Sequence, residues 1–493
     1  MSSLPVTRCA DLRITPDPRR VITKPFLPGE ELLPDGSTRI EVVVARLLAM
    51  DERDVAATLR ATVADFAHRH RRFDAVLDDH FDLVARRCAL PPDLSVERRR
   101  LIGAYFTHEY SIEAAALGNP SMVEAPDQSG LGPGETRFVM SLRAIGEGHL
   151  SCIEFRSGVV GADASVRLDR PGSFPAAGRR SGARYDRRFF LTKLSELGAL
   201  DPTTSRVLDL LGSDFDLGEL EAALRRVDGP AVTSPAGREA VHTLHWLASS
   251  NYRSSFDDQS ELSERVLFPA GPTESRGMED VRLVRFTHDD GRVVYYGTYT
   301  AYDGHQILPQ LLETTDFASF RVSTLGGRCA QNKGMALFPR RLDGQFLALG
   351  RHDNQNNFLM SSGDIRVWHE TEKIQEPKRP WELVQLGNCG SPLETEAGWL
   401  VITHGVGPLR RYSLGALLLD RNDPWRVVGH LREPLLVPVA DEREGYVPNV
   451  VYSCGSMIHG EHLVVPYGFA DVGARVATVR LAELLGRLTE RRA

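Results

Sequence analysis

The stretch GRVVYYGTYTAY (residues 291–302) decides the fold, because a glycine turn leads into alternating bulky residues and the run ends on a polar tyrosine. Such runs between turn residues are typical of β-strands. The same form recurs in GETRFVMSLR (134–143), GQFLALGR (344–351), AGWLVITHG (397–405) and GEHLVVPYG (460–468). The last four segments follow one another at about 50 to 60 residues, near the roughly 40–50-residue period of four-stranded propeller blades. We therefore expect an all-β five-bladed β-propeller, with another multi-sheet β fold as the alternative.

Two further regions have helical rather than strand patterning. Residues 41–117 are rich in Ala, Arg, Leu and Glu with apolar residues at helical spacing, and so are residues of about 187–249. Blade-like sequence already precedes the second region, so we expect it to be a helical insertion in the propeller. The expected organisation is an N-terminal α-helical domain (1–117), the propeller (118–480) and a C-terminal helix (481–493).

Composition excludes several classes of protein. The 493 residues are 42% hydrophobic and 25% charged with a formal net charge of −7, which is typical of a folded chain and not of a general nucleic-acid binder. No apolar run approaches the roughly 20 residues of a membrane span, and the first residues lack the apolar core of a secretory signal. The six cysteines show no metal-ligand spacing. We expect a cytoplasmic protein with no membrane, nucleic-acid or metal partner.

Polar side chains stand where the repeated strands end. In a propeller these strand ends would converge on one central cavity, whereas in another fold they would be ordinary solvated strand ends. The residues concerned are Arg143, Tyr302, Arg351, His404 and Tyr467.

The segment GMEDVRL places Glu279, Asp280 and Arg282 between an irregular loop and a strand, where a salt bridge and a functional acid are both open. Lys333 precedes another apolar strand, where it could also be a solvated edge charge. The sequence contains no Walker loop, zincin motif or esterase elbow.

An ordered series of motifs resembles glycoside hydrolase family 130, the β-mannoside phosphorylases and β-mannosidases that fold as five-bladed propellers. The motifs are GNPSMV (118–123), GMEDVRL (277–283), YYGTYTAYDG (295–304), QNKGMALFP (331–339), GNCGSPLETEAGWLVITHGV (387–406), RYSLGALLLDRNDPWRV (411–427), EPLL (433–436), GYVPNVVYSCG (445–455) and YGFAD (467–471). The helical regions depart from the shortest members of the family and indicate a larger subgroup.

The resemblance implies a role for particular residues. The acid of the family's Glu-Asp-Pro-Arg motif falls on Asp280, with Val281 in place of the proline. Sugar-binding positions fall on Asn119, Ser121, Arg143 and Asp471, and the family's anion site falls on Lys333, Arg351, His404 and Tyr412.

Inverting cleavage needs an acid on the leaving oxygen and a nucleophile on the opposite face of the sugar ring. Phosphate arrives as an anion and needs cations to orient it, and His404 is the one member of the cluster expected to titrate near neutrality. A hydrolase would instead need a carboxylate to activate water, for which Glu279, Glu394, Glu442 and Glu444 are the candidates.

The leading expectation is therefore an inverting phosphorylase that converts a mannose-containing oligosaccharide and phosphate to α-mannose 1-phosphate and a shortened acceptor. Inorganic phosphate is the co-substrate and no other cofactor is expected. An inverting β-mannosidase and a non-catalytic carbohydrate-binding propeller are the alternatives. The apolar helical additions also suggest a homo-oligomer, while the linkage and the acceptor sugar stay open.

Overall fold

The computed structural model describes residues 4–9, 12–29, 32–34, 36–227, 233–269 and 271–489. Its chain forms two compact units. The larger comprises the residues up to Pro16, Ala115–Pro171 and the residues from Gly178 onward, and the smaller comprises Asp17–Ala114 with Gly172–Ala177.

The larger unit is built mainly from five antiparallel groups of strands. Group 1 contains β4 (Ala116–Glu124), β5 (Thr136–Ile145), β6 (Ser151–Val160) and β7 (Val166–Leu168). Group 2 contains β14 (Gly277–Thr287), β15 (Val293–Tyr302), β16 (Ile307–Thr314) and β17 (Ser319–Thr324), extended by β12 (Tyr252–Ser255) and β9 (Arg179–Gly182). Group 3 contains β18 (Ala336–Leu337), β19 (Phe346–Gly350), β20 (Asn357–Ser362) and β21 (Glu370–Gln375). Group 4 contains β22 (Gln385–Asn388), β23 (Leu393–Thr395), β24 (Gly398–Val406), β25 (Tyr412–Leu419) and β26 (Val427–His430). Group 5 contains β27 (Val451–Tyr452), β28 (Met457–His459), β29 (His462–Phe469), β30 (Gly473–Arg480) and β1 (Thr7–Arg8).

The groups are mostly separate sheets. Groups 1 and 2 join at one point, where Ser151 pairs in parallel with Gly277. Group 5 takes its outer strand from the other end of the chain, because Thr7 pairs with Thr478 and Arg8 with Ala477. The repeated strands of the sequence analysis are β5, β15, β19, β24 and β29, the second long strand of each group. The protein is therefore rich in β-structure, as the sequence predicts.

Four helices lie between groups 1 and 2, and they share a core with the strands. They are α5 (Arg187–Glu196), α6 (Pro202–Asp209), α7 (Leu217–Arg226) and α8 (Pro235–Ser249). Phe190 and Leu247 of these helices belong to the same buried cluster as Phe155 of β6 and Tyr299 of β15. The short strands β10 (Tyr185–Asp186) and β11 (Asp214–Phe215) pair with each other, and β13 (Arg265–Val266) follows α8.

The smaller unit contains four helices and a two-stranded sheet. The helices are α1 (Arg39–Leu48), α2 (Glu52–Phe66), α3 (Phe73–Ala85) and α4 (Val96–Tyr105), and the strands are β2 (Val21–Pro25), β3 (Thr107–Ser111) and the short β8 (Ala176–Ala177). Helices α3 and α4 approach closely at Gly103, where a Cβ atom would lie 1.9 Å from the carbonyl oxygen of Leu77. The side chain of Thr38 caps α1 and that of Ser95 caps α4.

The sequence-based boundaries of the helical regions need correction. Helix α4 ends at Tyr105, whereas helical patterning was expected to continue to residue 117. The segment THEYS pairs as β3 with β2, and Ala116 and Leu117 already belong to β4, because these residues gain more from cross-strand pairing than from continued helix. Strand β1 also belongs to the larger unit.

The C-terminal helix α9 spans Leu481–Thr489, and residues 490–493 of the expected helix lie outside the described residues. Six short 3-10 turns complete the elements: Ala67–Arg69, Glu147–His149, Leu262–Glu264, Pro272–Glu274, Pro408–Arg410 and Ala440–Glu442. Of the helices in the described ranges, none is both long and apolar enough to cross a membrane.

Candidate active site

A cavity of about 220 Å³ is lined by side chains from all five strand groups and the loops beside them. Its lining residues are Asn119, Arg143, Asp280, Arg282, Lys333, Gly334, Arg351, Gln385, Asn388, His404, Arg410, Tyr412, Val447, Val450, Tyr452 and Asp471. Eight of the nine residues singled out from the sequence are among them: Asn119, Arg143, Asp280, Lys333, Arg351, His404, Tyr412 and Asp471.

The ninth, Ser121, does not line the cavity. Its side chain is fully buried, and its hydroxyl accepts a hydrogen bond of 3.0 Å from the backbone N–H of Leu283. The expected sugar contact for Ser121 is therefore wrong, and the residue ties β4 to β14 instead.

Three of the lining residues have left-handed backbone conformations that turn them out of their strands. The φ angles are 49° at Asn119, 56° at Asp280 and 50° at Asp471. The strand register skips at the first two, between Gly118 and Ser121 and between Glu279 and Arg282. Asn and Asp adopt this region more readily than other non-glycine residues. Each such position costs on the order of 1–3 kcal/mol, a strain that clusters at functional sites.

The Asp280 carboxylate is held by neighbours that can only donate hydrogen bonds or carry positive charge. Asn119 Nδ2 donates to its Oδ1 at 2.6 Å, and Arg143 Nη1 lies 3.7 Å from the same oxygen. Burial favours a higher pKa for Asp280, but the charges of Arg143, Arg282 and Lys333 lower the pKa below its usual value. Asp280 is therefore ionised in the substrate-free site at neutral pH.

Glu279 connects two cations that come from different strand groups. One carboxylate oxygen accepts from Arg143 Nη2 at 2.7 Å, and the other accepts from Lys333 Nζ at 2.5 Å. Both oxygens of this buried carboxylate are thus engaged. The salt bridge left open by the sequence is formed by Glu279 with Arg143 and Lys333.

His404 accepts a hydrogen bond from Arg351. Arg351 Nη1 lies 3.0 Å from His404 Nε2, and because a guanidinium only donates, Nε2 must be the unprotonated nitrogen. The other nitrogen, Nδ1, then carries the proton and faces Cys389 Sγ at 3.6 Å. The close approach needs Gly387, where a Cβ atom would lie 2.5 Å from His404 Cε1 and 2.8 Å from Arg351 Cδ.

Burial lowers the pKa of His404 well below its usual value, and the charges of Arg351 and Arg282 lower it further. The imidazole is therefore neutral. The expectation that His404 titrates near neutrality is wrong, because the sequence does not reveal that two cations face a fully buried ring.

Aromatic residues complete the wall around His404. Its ring stacks with Tyr412 at a centroid distance of 6.1 Å and meets Tyr452 edge-on at 4.9 Å. The Tyr452 hydroxyl accepts from Arg282 Nη2 at 2.7 Å, so the tyrosine also fixes the guanidinium beside Asp280.

Asp471 differs electrostatically from Asp280. Burial raises the pKa of Asp471, the charge of Arg143 opposes this effect, and the nearby Asp280 carboxylate raises the pKa further. The two lining carboxyl groups thus have pKa values shifted in opposite directions, which is a pattern common in active sites.

Positive charge exceeds negative charge around the cavity. The lining residues Arg143, Arg282, Lys333, Arg351 and Arg410 face Asp280 and Asp471, with Glu279 behind them. The buried Nε atoms of Arg143, Arg282 and Arg351 have no hydrogen-bond partner within the described parts of the chain. The site therefore offers donors and charge to an anionic ligand.

The sequence analysis missed several lining residues: Gln385, Asn388, Arg410, Val447, Val450 and Tyr452. One signal was available, because the Gly-Asn pair at 387–388 repeats the pair at 118–119. Asn388 Nδ2 donates to the carbonyl oxygen of Gly334 at 2.6 Å. The others lie on loops whose position depends on contacts far away in the sequence.

Comparison with known proteins gives relatives of one kind. The family model described as beta-1,4-mannooligosaccharide phosphorylase matches residues 253–490. A 1,2-beta-oligomannan phosphorylase of Thermoanaerobacter sp. (strain X514) is 34% identical over 227 residues, which are 45% of this chain and 75% of the relative. A beta-1,2-mannobiose phosphorylase of Listeria innocua is 31% identical over 257 residues, which are 49% of this chain and 70% of the relative.

Among solved structures, the Listeria innocua beta-1,2-mannobiose phosphorylase in complex with beta-1,2-mannobiose aligns with a TM-score of 0.43 and 22% identity, covering 76% of this chain and 92% of that one. Asp280, Lys333, Arg351, His404 and Asp471 lie within the matched residues 253–490. The identities and the share of the relatives' length that is covered place the chain: it belongs to glycoside hydrolase family 130.

Proposed function

We propose that this protein is an inverting β-mannoside phosphorylase, which transfers a mannosyl group to phosphate and yields α-mannose 1-phosphate and a shortened acceptor sugar. The observation that supports it best is the cationic end of the cavity, formed by Lys333 and Arg351 with His404 and Tyr412. A hydrolase would need a free carboxylate at this place, whereas phosphate needs cations.

In this proposal the five strand groups are the blades of a propeller, and β4, β14, β18, β22 and β27 line its central channel. The four helices α5–α8 are an insertion between the first and second blades. Lining residues that come from all five groups support this arrangement.

The proposed reaction begins when phosphate binds at Lys333 and Arg351, with the mannosyl ring held by Asn119, Arg143 and Asp471. A phosphate oxygen attacks the anomeric carbon, and the bond from that carbon to the glycosidic oxygen breaks with inversion. The leaving oxygen takes the proton of Asp280, relayed through a sugar hydroxyl.

Asp280 is ionised in the empty site, so it must first acquire that proton. The negative charge of phosphate offsets the cations that lower the pKa of Asp280, and the bound sugar removes water from the carboxyl group. Both changes raise its pKa and favour the acid form when substrates are present.

The carboxylates considered for a hydrolase are engaged elsewhere. Glu279 is bound by Arg143 and Lys333. Glu394 binds Arg340 at 2.8 Å, and Glu442 is fully buried and accepts from Tyr467 and Arg475. Glu444 is exposed and does not line the cavity. A carbohydrate-binding protein, the other alternative, would gain nothing from the strained backbone at Asp280.

The deciding experiment is incubation of the purified protein with β-1,2-mannobiose and β-1,4-mannobiose, with and without phosphate. We expect α-mannose 1-phosphate, identified by its ³¹P and ¹H NMR spectra, only when phosphate is present. Release of free mannose at the same rate with and without phosphate would instead establish a β-mannosidase. Binding of both sugars without any product would establish a binding protein.

The thiols support a reducing compartment, and we propose a cytoplasmic location. All six cysteines are free, and Cys152, Cys329, Cys389 and Cys454 are buried. Disulfides are rare in such compartments.

A further inference from the structure

The cavity is too small for the whole substrate. Its volume of about 220 Å³ lies below the roughly 300–1,000 Å³ that encloses a drug-sized ligand. If the proposed function holds, phosphate and the mannosyl ring occupy this space together. The leaving sugar, which becomes the acceptor in the reverse reaction, must then lie at the mouth of the cavity.

The mouth is bordered by the turns that join the second and third long strands of each group. These turns span residues 146–150, 303–306, 351–356, 407–411 and 470–472. Three of them supply lining residues, namely Arg351, Arg410 and Asp471. The residues that project from these turns are therefore placed to meet the leaving sugar.

The turn at 407–411 is strained and carries an unpaired cation. Leu409 and Arg410 have φ angles of 55° and 54°, although neither is glycine, and the Leu409 side chain is 92% exposed. Arg410 lines the cavity and makes no side-chain hydrogen bond or ion pair within the described ranges. Strain of this kind persists where the surrounding structure or a function maintains it.

A stacked aromatic pair lies beside the turn that carries Asp471. The rings of His149 and Tyr446 have centroids 5.6 Å apart and planes at 26°, and Tyr446 is 57% exposed. The next residue, Val447, lines the cavity and donates its backbone N–H to Ala470 at 2.9 Å. On the other side, a Cβ atom at Gly445 would lie 2.6 Å from the Ala470 carbonyl oxygen, so the chain is fixed there on both sides of Tyr446.

We propose that Tyr446, His149, Leu409 and Arg410 form the binding site for the acceptor sugar, a neutral hexopyranose. The Tyr446 ring, supported by His149, offers an apolar face to the C–H face of the sugar. The Arg410 guanidinium donates to two neighbouring hydroxyls. Leu409 forms an apolar wall of the same site.

The test uses the reverse reaction, in which the protein is given α-mannose 1-phosphate and an acceptor, and released phosphate is measured. The acceptors are mannose, glucose and glucuronic acid. The variants are Tyr446→Ala and Arg410→Ala. Tyr105→Ala, an exposed tyrosine of the smaller unit, and Arg411→Ala, the neighbour that does not line the cavity, are the matched controls.

We expect Tyr446→Ala to raise the KM for mannose or glucose about 3- to 10-fold, the loss of one stacking contact, and to leave the KM for mannose 1-phosphate unchanged. Arg410→Ala should act in the same way, and both control variants should match the wild type.

Wild-type turnover with an unchanged acceptor KM in both test variants would overturn this assignment alone. A preference for glucuronic acid that is lost in Arg410→Ala would overturn the neutral acceptor. If the wild type neither makes nor cleaves a mannoside, the proposed function fails, and the acceptor site fails with it.

Discussion

Asn119 donates a hydrogen bond of 2.6 Å to Asp280, although 161 residues separate them in the chain. Both residues have left-handed backbone conformations at matching irregularities of β4 and β14. The pair brings a residue from outside the family-model match, which starts at residue 253, against the acid inside it. The donor end of the site therefore depends on the half of the chain that resembles known relatives least.

Replacing Asp280 by Asn should abolish turnover while the fold survives. The amide keeps the shape of the carboxyl group but has no proton to give, a role worth about 10²- to 10⁴-fold in rate. The measurement is kcat on a mannobiose with phosphate, with circular dichroism as the check on folding. Asp93→Asn, on an exposed turn of the smaller unit, is the control. A folded Asp280→Asn protein of near wild-type activity would show that another group is the acid.

Asn119→Asp should move the pH profile of kcat/KM. A second carboxylate in place of the amide donor faces Asp280 at hydrogen-bond distance, and two like charges there raise the pKa of the pair. Because the acid form is the active one, activity should persist to higher pH than in the wild type. An alkaline limb at unchanged or lower pH would separate Asp280 from the titration that limits the rate.

Lys333→Ala should weaken the use of phosphate more than the binding of sugar. A charge-assisted hydrogen bond contributes about 1.5–3 kcal/mol, so the KM for phosphate should rise about 10- to 100-fold. Binding of a mannobiose without phosphate, measured by calorimetry, should change little. Lys373→Ala, a lysine that pairs with Glu376 on the surface, is the control. Equal effects on phosphate and sugar would place Lys333 in a general structural role.

His404→Gln should reduce the acid sensitivity of the fold. His404 stays neutral in the folded protein, whereas in the unfolded chain it takes up a proton below about pH 6.5. Its contribution to stability is therefore complete above that pH and is lost as the pH falls, at about 1.4 kcal/mol per pH unit. Glutamine can still accept from Arg351 but does not titrate.

The measurement is urea unfolding of both proteins at neutral and at mildly acidic pH. The burial of His70 and His80 also lowers their pKa values, so the wild type and the variant should both lose stability in acid, the variant less by one histidine. The same loss in both proteins would mean that His404 is charged in the folded state.

Cutting the chain within residues 228–232, between α7 and α8, should leave neither half stably folded. Phe190 and Leu208 before the cut share one buried cluster with Leu244 and Phe320 after it. The two halves should be insoluble when expressed separately and should recover activity only when expressed together. Two soluble halves, each with a cooperative unfolding transition, would establish separate domains.

Local patterns were enough to predict the strands and most of the candidate site. The spacing of glycine turns predicted the long strands, and the motifs around Asn119, Asp280 and Asp471 carry the residues that tolerate a left-handed backbone. These signals lie within a few residues of each other, so the sequence displays them directly.

The missed features depend on distant partners. Ser121 stands two residues after Asn119 in the same motif, yet the register skip turns it toward the Leu283 amide. His404 is neutral because Arg351 and Arg282 come from other strand groups. Residues 107–111 have no strand partner within their own neighbourhood, and only the pairing with Val21–Pro25 prevents α4 from continuing.

The pairing of Thr7 with Thr478 has a consequence for how the protein is made. The last sheet cannot be completed until almost the whole chain has left the ribosome, which at roughly 5–20 residues per second takes on the order of a minute. During synthesis β1 has no partner, and β30 emerges with an open edge of the kind that promotes aggregation. Because the entropy of closing a loop grows only with the logarithm of its length, the late closure limits the rate of folding more than the final stability.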